Sequence, residues 1–369
     1  MSAGRSIVVV FPNLRAPIDG IRDHSVWLTR EFERWGCDVE LVPAVPTRRG
    51  TGGNGALAMQ LLILQYQPFS YGRWGVAPHL PLALAKWRLK GRRQSLIAAI
   101  VHEPYVPLSG WRWTLMGLWQ RVQLQAIRLS ADVLFGTIDA WARKLQATHP
   151  RRPTDVLPVG SNLPDMTAAR AVERARLGAG DSSFLVAIFG RDHPSRLLGH
   201  LTAAVNAVAA VRKDVCLLNL GASAPRLDGL ADSVEVVQPG AQPPERLASL
   251  LGAADMFLAA WQDGASTRRG TLMSALQHGL PTVATNGELT DEILRRGKDA
   301  IVLTPVHRVD LFAAAASQLA LDDQVRVSLG RAGRALYHHS FDWPVIAARL
   351  LARVDDVYRA RIQAGAGNS

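Results

Sequence analysis

Asp263-Gly264-Ala265-Ser266-Thr267-Arg268-Arg269-Gly270-Thr271-Leu272-Met273-Ser274-Ala275-Leu276-Gln277-His278-Gly279-Leu280-Pro281 runs from an acidic loop through two arginines into a helix and stops before a strand. Gly279 and Pro281 write the stop, because glycine accepts the left-handed conformation that ends helices and proline cannot continue one. Thr282-Val283-Ala284 then opens a buried strand. The start reads as an anion-binding helix N-terminus. Gly264, Ala265 and Gly270 permit close backbone approach, and Ser266 or Thr267 is placed to cap. The free amides at Gly270, Thr271 and Leu272, with Arg268 and Arg269, suit a diphosphate, although adjacent side chains are expected to diverge.

Outward from this stretch, short apolar runs alternate with helical segments, the signature of parallel sheets covered on both faces. Residues 8–11, 39–42, 61–65, 97–101 and 133–135 read as strands of one sheet, with 23–35 helical and 46–55, rich in Gly, Thr and Arg, a loop. Residues 155–162 read as the closing strand and turn of that domain. A second set follows at 184–189, 215–220, 234–237, 256–259, 282–284 and 300–303. Asp342 and Pro344 open an amphipathic helix over 345–362, which leaves 363–369 as a frayed tail.

The order of helix, small turn, Gly-x-Pro, apolar strand and Thr285-Asn286-Gly287 resembles the donor site of GT-B glycosyltransferases, and among them the GT4 group. The resemblance covers nearly the whole chain. It implies two Rossmann-like, doubly wound parallel-sheet domains facing across a cleft. Residues 1–163, completed by a helix at 344–369, would bind the acceptor, and residues 164–343 the nucleotide-sugar donor. GT4 enzymes usually carry two glutamates spaced as Ser266 and Ser274 are here, the second holding the ribose. Serine is a shorter, uncharged substitute at both.

Sugar transfer from a nucleotide diphosphate releases a doubly charged leaving group that something cationic must neutralise. Phe189-Gly190-Arg191-Asp192-His193-Pro194-Ser195-Arg196 ends a strand and opens a helix, similar to the family position where an arginine and a following lysine hold the diphosphate. Arg191 and Arg196 fill those slots, and arginine supplies the same charge with a bidentate fork. The loops at Gly221 and Gly240 lie beyond strand carboxyl ends, where open parallel sheets bind ligands. In the family they line the base and ribose pocket; taken alone, each is a turn glycine.

In the first domain, residues 15–24 resemble the glycine-containing loop that approaches the transferred sugar. Gly20 would allow that approach, while Asp19, Asp23 and His24 would hydrogen-bond hydroxyls, unless Asp23 simply caps the following helix. His102 resembles the GT4 histidine that reaches the donor sugar or acceptor, with Glu103 orienting it or holding the acceptor. The catalytic expectation is therefore His102, Asp19 and Glu103. The resemblance further implies retention of configuration, the departing phosphate taking the acceptor proton, with no metal and no cofactor. The nucleotide sugar is a substrate.

A net charge of +11 and a pI near 10.4 favour anionic partners. No zinc-finger spacing or RNP-like aromatic pattern occurs, so nucleic acid is not an expected partner. The expected partners are a UDP- or GDP-sugar, a glycan or lipid-linked acceptor, and an anionic membrane surface. Interleaved Trp and Arg at 84–93 and 111–121 suit such a surface, the alternative being a surface helix with its tryptophans in the core. Residues 65–75 read as an aromatic loop that shapes the acceptor site. The chain has no run of about 18 apolar residues, and Cys37 and Cys216 lack metal or redox spacing. These point to the cytoplasm, with peripheral attachment to the inner face of the plasma membrane. Two other functions fit the pattern: a catalytically silent GT-B scaffold, given Ser266 and Ser274, and a GT-B nucleotide-sugar epimerase.

Overall fold

The computed structural model describes residues 5–15, 19–46, 59–90, 95–148, 154–166, 170–180 and 182–366. Residues 47–55 of the expected loop, 16–18 of the stretch before the first helix, 91–93 of the first Trp and Arg stretch and 367–369 of the expected tail lie outside these. The chain divides into two compact units, residues 1–158 with 343–369, and residues 159–342.

The first unit holds a parallel sheet of β1 (Ser6–Val10), β2 (Asp38–Val42), β3 (Gln60–Tyr66), β4 (Ser95–Val101), β5 (Val133–Gly136) and β6 (Thr154–Val156), in the order β2-β1-β3-β4-β5-β6. Both faces are covered, which is why its central strands read as continuous apolar runs. Leu61 and Ile63 of β3 point into one core with Leu28, Phe32, Ile346 and Leu350, while Leu62 and Leu64 point into the other with Leu84 and Ile127. Each such buried side chain contributes about 1.5–3 kcal/mol. The first core is closed by helices Gly20–Arg34 and Trp343–Ala366. The terminal helix starts two residues before its expected start, since proline is tolerated in a first turn, and it continues through 363–366, where fraying was expected.

The second unit holds β7 (Phe184–Phe189), β8 (Val215–Leu220), β9 (Val234–Val237), β10 (Met256–Ala259), β11 (Thr282–Asn286) and β12 (Val302–Pro305), in the order β12-β11-β10-β7-β8-β9 and all parallel. β12 starts later than expected because Ala300 closes a turn onto Gly297 O at 2.9 Å. Residues 159–163, expected with the first domain, run with this unit: Val159 N–H donates to Thr267 O at 2.9 Å. Cys37 and Cys216 are buried, one in each unit.

Each sheet reverses its direction of growth once, between β1 and β3 and between β7 and β10. Beyond the carboxyl ends of strands at such a reversal, loops part and leave room for a ligand.

Candidate functional site

In the second unit the reversal brings the exits of β7 and β10 together. Arg196 bridges antiparallel to Trp261, so the segment after one strand lies against the segment after the other. Gly190, after β7, and Gly221, after β8, both have φ of 127°. A Cβ on Gly221 would stand 2.9 Å from Gly190 O, an approach only glycine permits. A Cβ on Gly190 would meet Thr271 Cγ2 at 3.5 Å and Arg196 Nη2 at 3.8 Å. The Gly190 backbone, the Arg196 guanidinium and the first turn of helix Gly270–Gln277 therefore converge.

Arg196 Nη2 donates to Phe189 O at 2.8 Å, whereas the buried Nη1 has no partner among the described residues. Burial, with Arg269 nearby, lowers its pKa to about 10, and it remains a cation at neutral pH. An unpartnered buried donor costs about 1–3 kcal/mol, a penalty that an arriving anion removes.

The helix start differs from its sequence reading. Thr267 donates its N–H and its hydroxyl to Asp291 Oδ2, at 2.6 and 2.9 Å, and the Ser266 hydroxyl is buried without a partner among the described residues. Neither caps the helix; the N-cap position is Arg269, with no side-chain bond to the first turn. The amides of Gly270 and Thr271 thus keep no side-chain cap, while Leu272 N–H already donates to Arg269 O at 2.9 Å and its side chain is core. Arg268 and Arg269 do not diverge: both reach Asp263, Arg269 Nη2 lying 2.7 and 2.9 Å from its two oxygens. Arg269 also stacks over Trp261 at 5.0 Å. Arg268 and Arg269 thus share the Asp263 carboxylate, while Arg196 lies near Arg269 and Asp192.

Ser274, in the ribose slot, turns inward. Its hydroxyl donates to Gly270 O at 2.9 Å and sits 2.9 Å from Ser161 Oγ. Gly240 adopts φ of 72°, and a Cβ there would meet nothing within 4 Å. Arg191 is exposed beside the convergence point.

In the first unit, Asp19 is the cap of helix Gly20–Arg34, accepting from Ile21 and Arg22 N–H at 2.9 and 3.2 Å; Asp23 lies in the first turn and Gly20 is exposed at its start. His24, expected to offer its ring to hydroxyls, is fully buried against His102 and Trp343, with ring centroids 5.0 and 5.3 Å apart. His102 follows β4 with 7% exposure, and its Nε2 lies 2.7 Å from Gln65 Oε1. The Glu103 side chain is exposed and accepts from Gln67 at 3.4 Å. Burial first, then His24, holds the His102 pKa well below the usual histidine range, so the ring is neutral at pH 7. Gln65, Trp261, Asp263 and Asp291 were not picked as site residues from the sequence. The usable signal was position: Gln65 and Trp261 stand at or just beyond the ends of apolar strands that flank the reversals.

Residues 184–322 match the family described as glycosyl transferases group 1. No curated protein matches by sequence. Among solved structures, sucrose-phosphate synthase from Thermosynechococcus elongatus is 14% identical at a TM-score of 0.66, covering 96% of this chain and 100% of its own. Trehalose 6-phosphate synthase from Burkholderia multivorans is 13% identical at 0.64, covering 100% and 99%. Anabaena HepE, solved with UDP and glucose, is 15% identical at 0.62, covering 95% and 100%. The fold is GT-B, the domain at 184–322 is that of group 1 glycosyltransferases, and the protein is a sugar-transferring enzyme.

Proposed function

We propose that this glycosyltransferase moves a sugar from a UDP- or GDP-sugar to a glycan or lipid-linked acceptor in the cytoplasm, with retention and without a metal. The observation that carries the donor reading is the unpartnered Nη1 of Arg196, buried beside Gly190 and the uncapped start of helix Gly270–Gln277. A diphosphate there would satisfy Nη1 and accept from the Gly270 and Thr271 amides, and the helix dipole would favour its charge. As the glycosidic bond breaks, the same groups would stabilise the growing negative charge on the leaving phosphate. That phosphate oxygen then takes the acceptor hydroxyl proton while the acceptor oxygen bonds the anomeric carbon on the same face.

His102 is neutral, so its part is to hydrogen-bond a sugar hydroxyl rather than to supply charge. With Nε2 occupied by Gln65, Nδ1 is the nitrogen left for substrate. The UDP and glucose in the HepE structure support a nucleotide-sugar donor. The test is turnover of UDP- and GDP-sugars by a His102→Ala variant. A fall in kcat on the order of a hundredfold, as for loss of one transition-state hydrogen bond, is expected with nucleotide affinity retained; full activity removes His102 from the site.

A further inference from the structure

Helix Gly110–Ser130 turns Leu124 and Ile127 into the core and leaves a second apolar face outside. Its core-facing positions include Gln120, Gln123 and Arg128, each consumed by fixed bonds: Gln120 to Val106 N and Trp74 O, Gln123 to Ala77 N and Tyr66 Oη, Arg128 to Leu145 O. Its outward positions are Trp111 (74% exposed), Trp113, Leu115 (66%), Leu118, Trp119 and Val122 (61%). A helix covering a soluble sheet normally keeps its outer face polar. The face continues onto Trp74, 69% exposed, whose carbonyl is bonded to Gln120 of the same helix. Leu82 and Leu89 of the neighbouring helix His79–Leu89 are exposed as well.

Charge identifies the occupant. Of the eleven Lys and Arg that the sequence places between residues 41 and 131, against the single acid Glu103, Arg73, Lys86, Lys90 and Arg112 are described and exposed, while Arg128 is buried and Arg88 pairs with Asp132. Cations also sit on the exposed rings, Arg112 over Trp111 at 5.1 Å and Arg73 over Trp74 at 5.6 Å. Among the described residues, no helix is long and apolar enough to cross a membrane. We infer that the first unit docks on an anionic lipid bilayer, with Trp74, Trp111, Trp113 and Leu118 entering the headgroup boundary and the surrounding Lys and Arg held by lipid phosphates. A second copy of the chain fits this face less well, because it would set two basic fields against each other. The inference rests on the surface alone and does not depend on the identity of donor or acceptor.

The test is co-sedimentation of the full chain with phosphatidylcholine vesicles, with and without phosphatidylglycerol. Binding is expected only with the anionic lipid. It should weaken as salt rises toward about 1 M, where the Debye length is near 3 Å. Trp111→Ser with Trp113→Ser and Leu118→Ser should weaken it by about tenfold or more, and Arg73→Glu with Arg112→Glu should remove its preference for anionic lipid. Thermal melting of each variant checks that the fold is intact. Absence of binding to the anionic vesicles overturns the inference, as does equal binding by the folded variants. Concentration-dependent dimerisation that the serine variant abolishes would also overturn it and assign the face to a second copy.

Discussion

His24 shows what a single buried group does to the molecule. It is fully buried, and burial lowers its pKa from 6.5 to about 3, the amide of Gln65 offsetting only part of this. The unfolded chain therefore binds a proton between these values that the folded chain refuses. Stability is complete above the unfolded pKa and is lost as the pH falls from 6.5 toward 3. The expected loss from this residue is about 2 kcal/mol between pH 7 and pH 5, measured by urea denaturation. A His24→Gln variant should flatten that slope, and an unchanged slope would contradict the assignment. Neither this burial nor the inward turn of Ser274 was legible in the sequence, because a polar residue at a strand end or in a helix reads the same whether it meets a ligand or a neighbour. Arg196 was legible, since its place between an apolar strand and a helix fixes which end of the sheet it occupies.

At the scale of elements, alternation made the strands readable, and the shifts at β12 and the terminal helix come from turns and caps that depend on partners distant in sequence. Asp19 rather than Asp23 caps its helix because only Asp19 takes an extended backbone there. The meeting of β7 and β8 at Gly190 and Gly221 was named as two separate glycines; their mutual contact required the sheet. Gly221→Ala puts a Cβ 2.9 Å from Gly190 O at a φ of 127°. It should destabilise the protein by about 1–3 kcal/mol, seen as a lowered urea midpoint, and weaken nucleotide binding by displacing Gly190. An unchanged midpoint would show that the two strand ends do not constrain each other. Helix Gly110–Ser130 was the least readable element. Trp87 is core as the bland reading expects, but Trp111, Trp113 and Trp119 are outside.

At the scale of the whole molecule, two parallel six-stranded sheets followed from the alternation alone, and the GT-B expectation is met by solved structures that share 15% identity or less. In this chain the reversal between β7 and β10 brings Gly190, Arg196 and Trp261 together. The division at 158 and 342 was read a few residues late at the first point, because the bond from Val159 to Thr267 has no local signature. Isothermal titration with UDP, GDP and ADP, on the native chain and on Arg196→Ala, tests the donor site most directly. The native chain should bind one base selectively, and the variant should bind that nucleotide about 1.5–3 kcal/mol more weakly, the range for a hydrogen bond to a charged group, which is roughly tenfold to a hundredfold in Kd. Equal affinity of the two proteins for the nucleotide would contradict the placement of the diphosphate at Arg196.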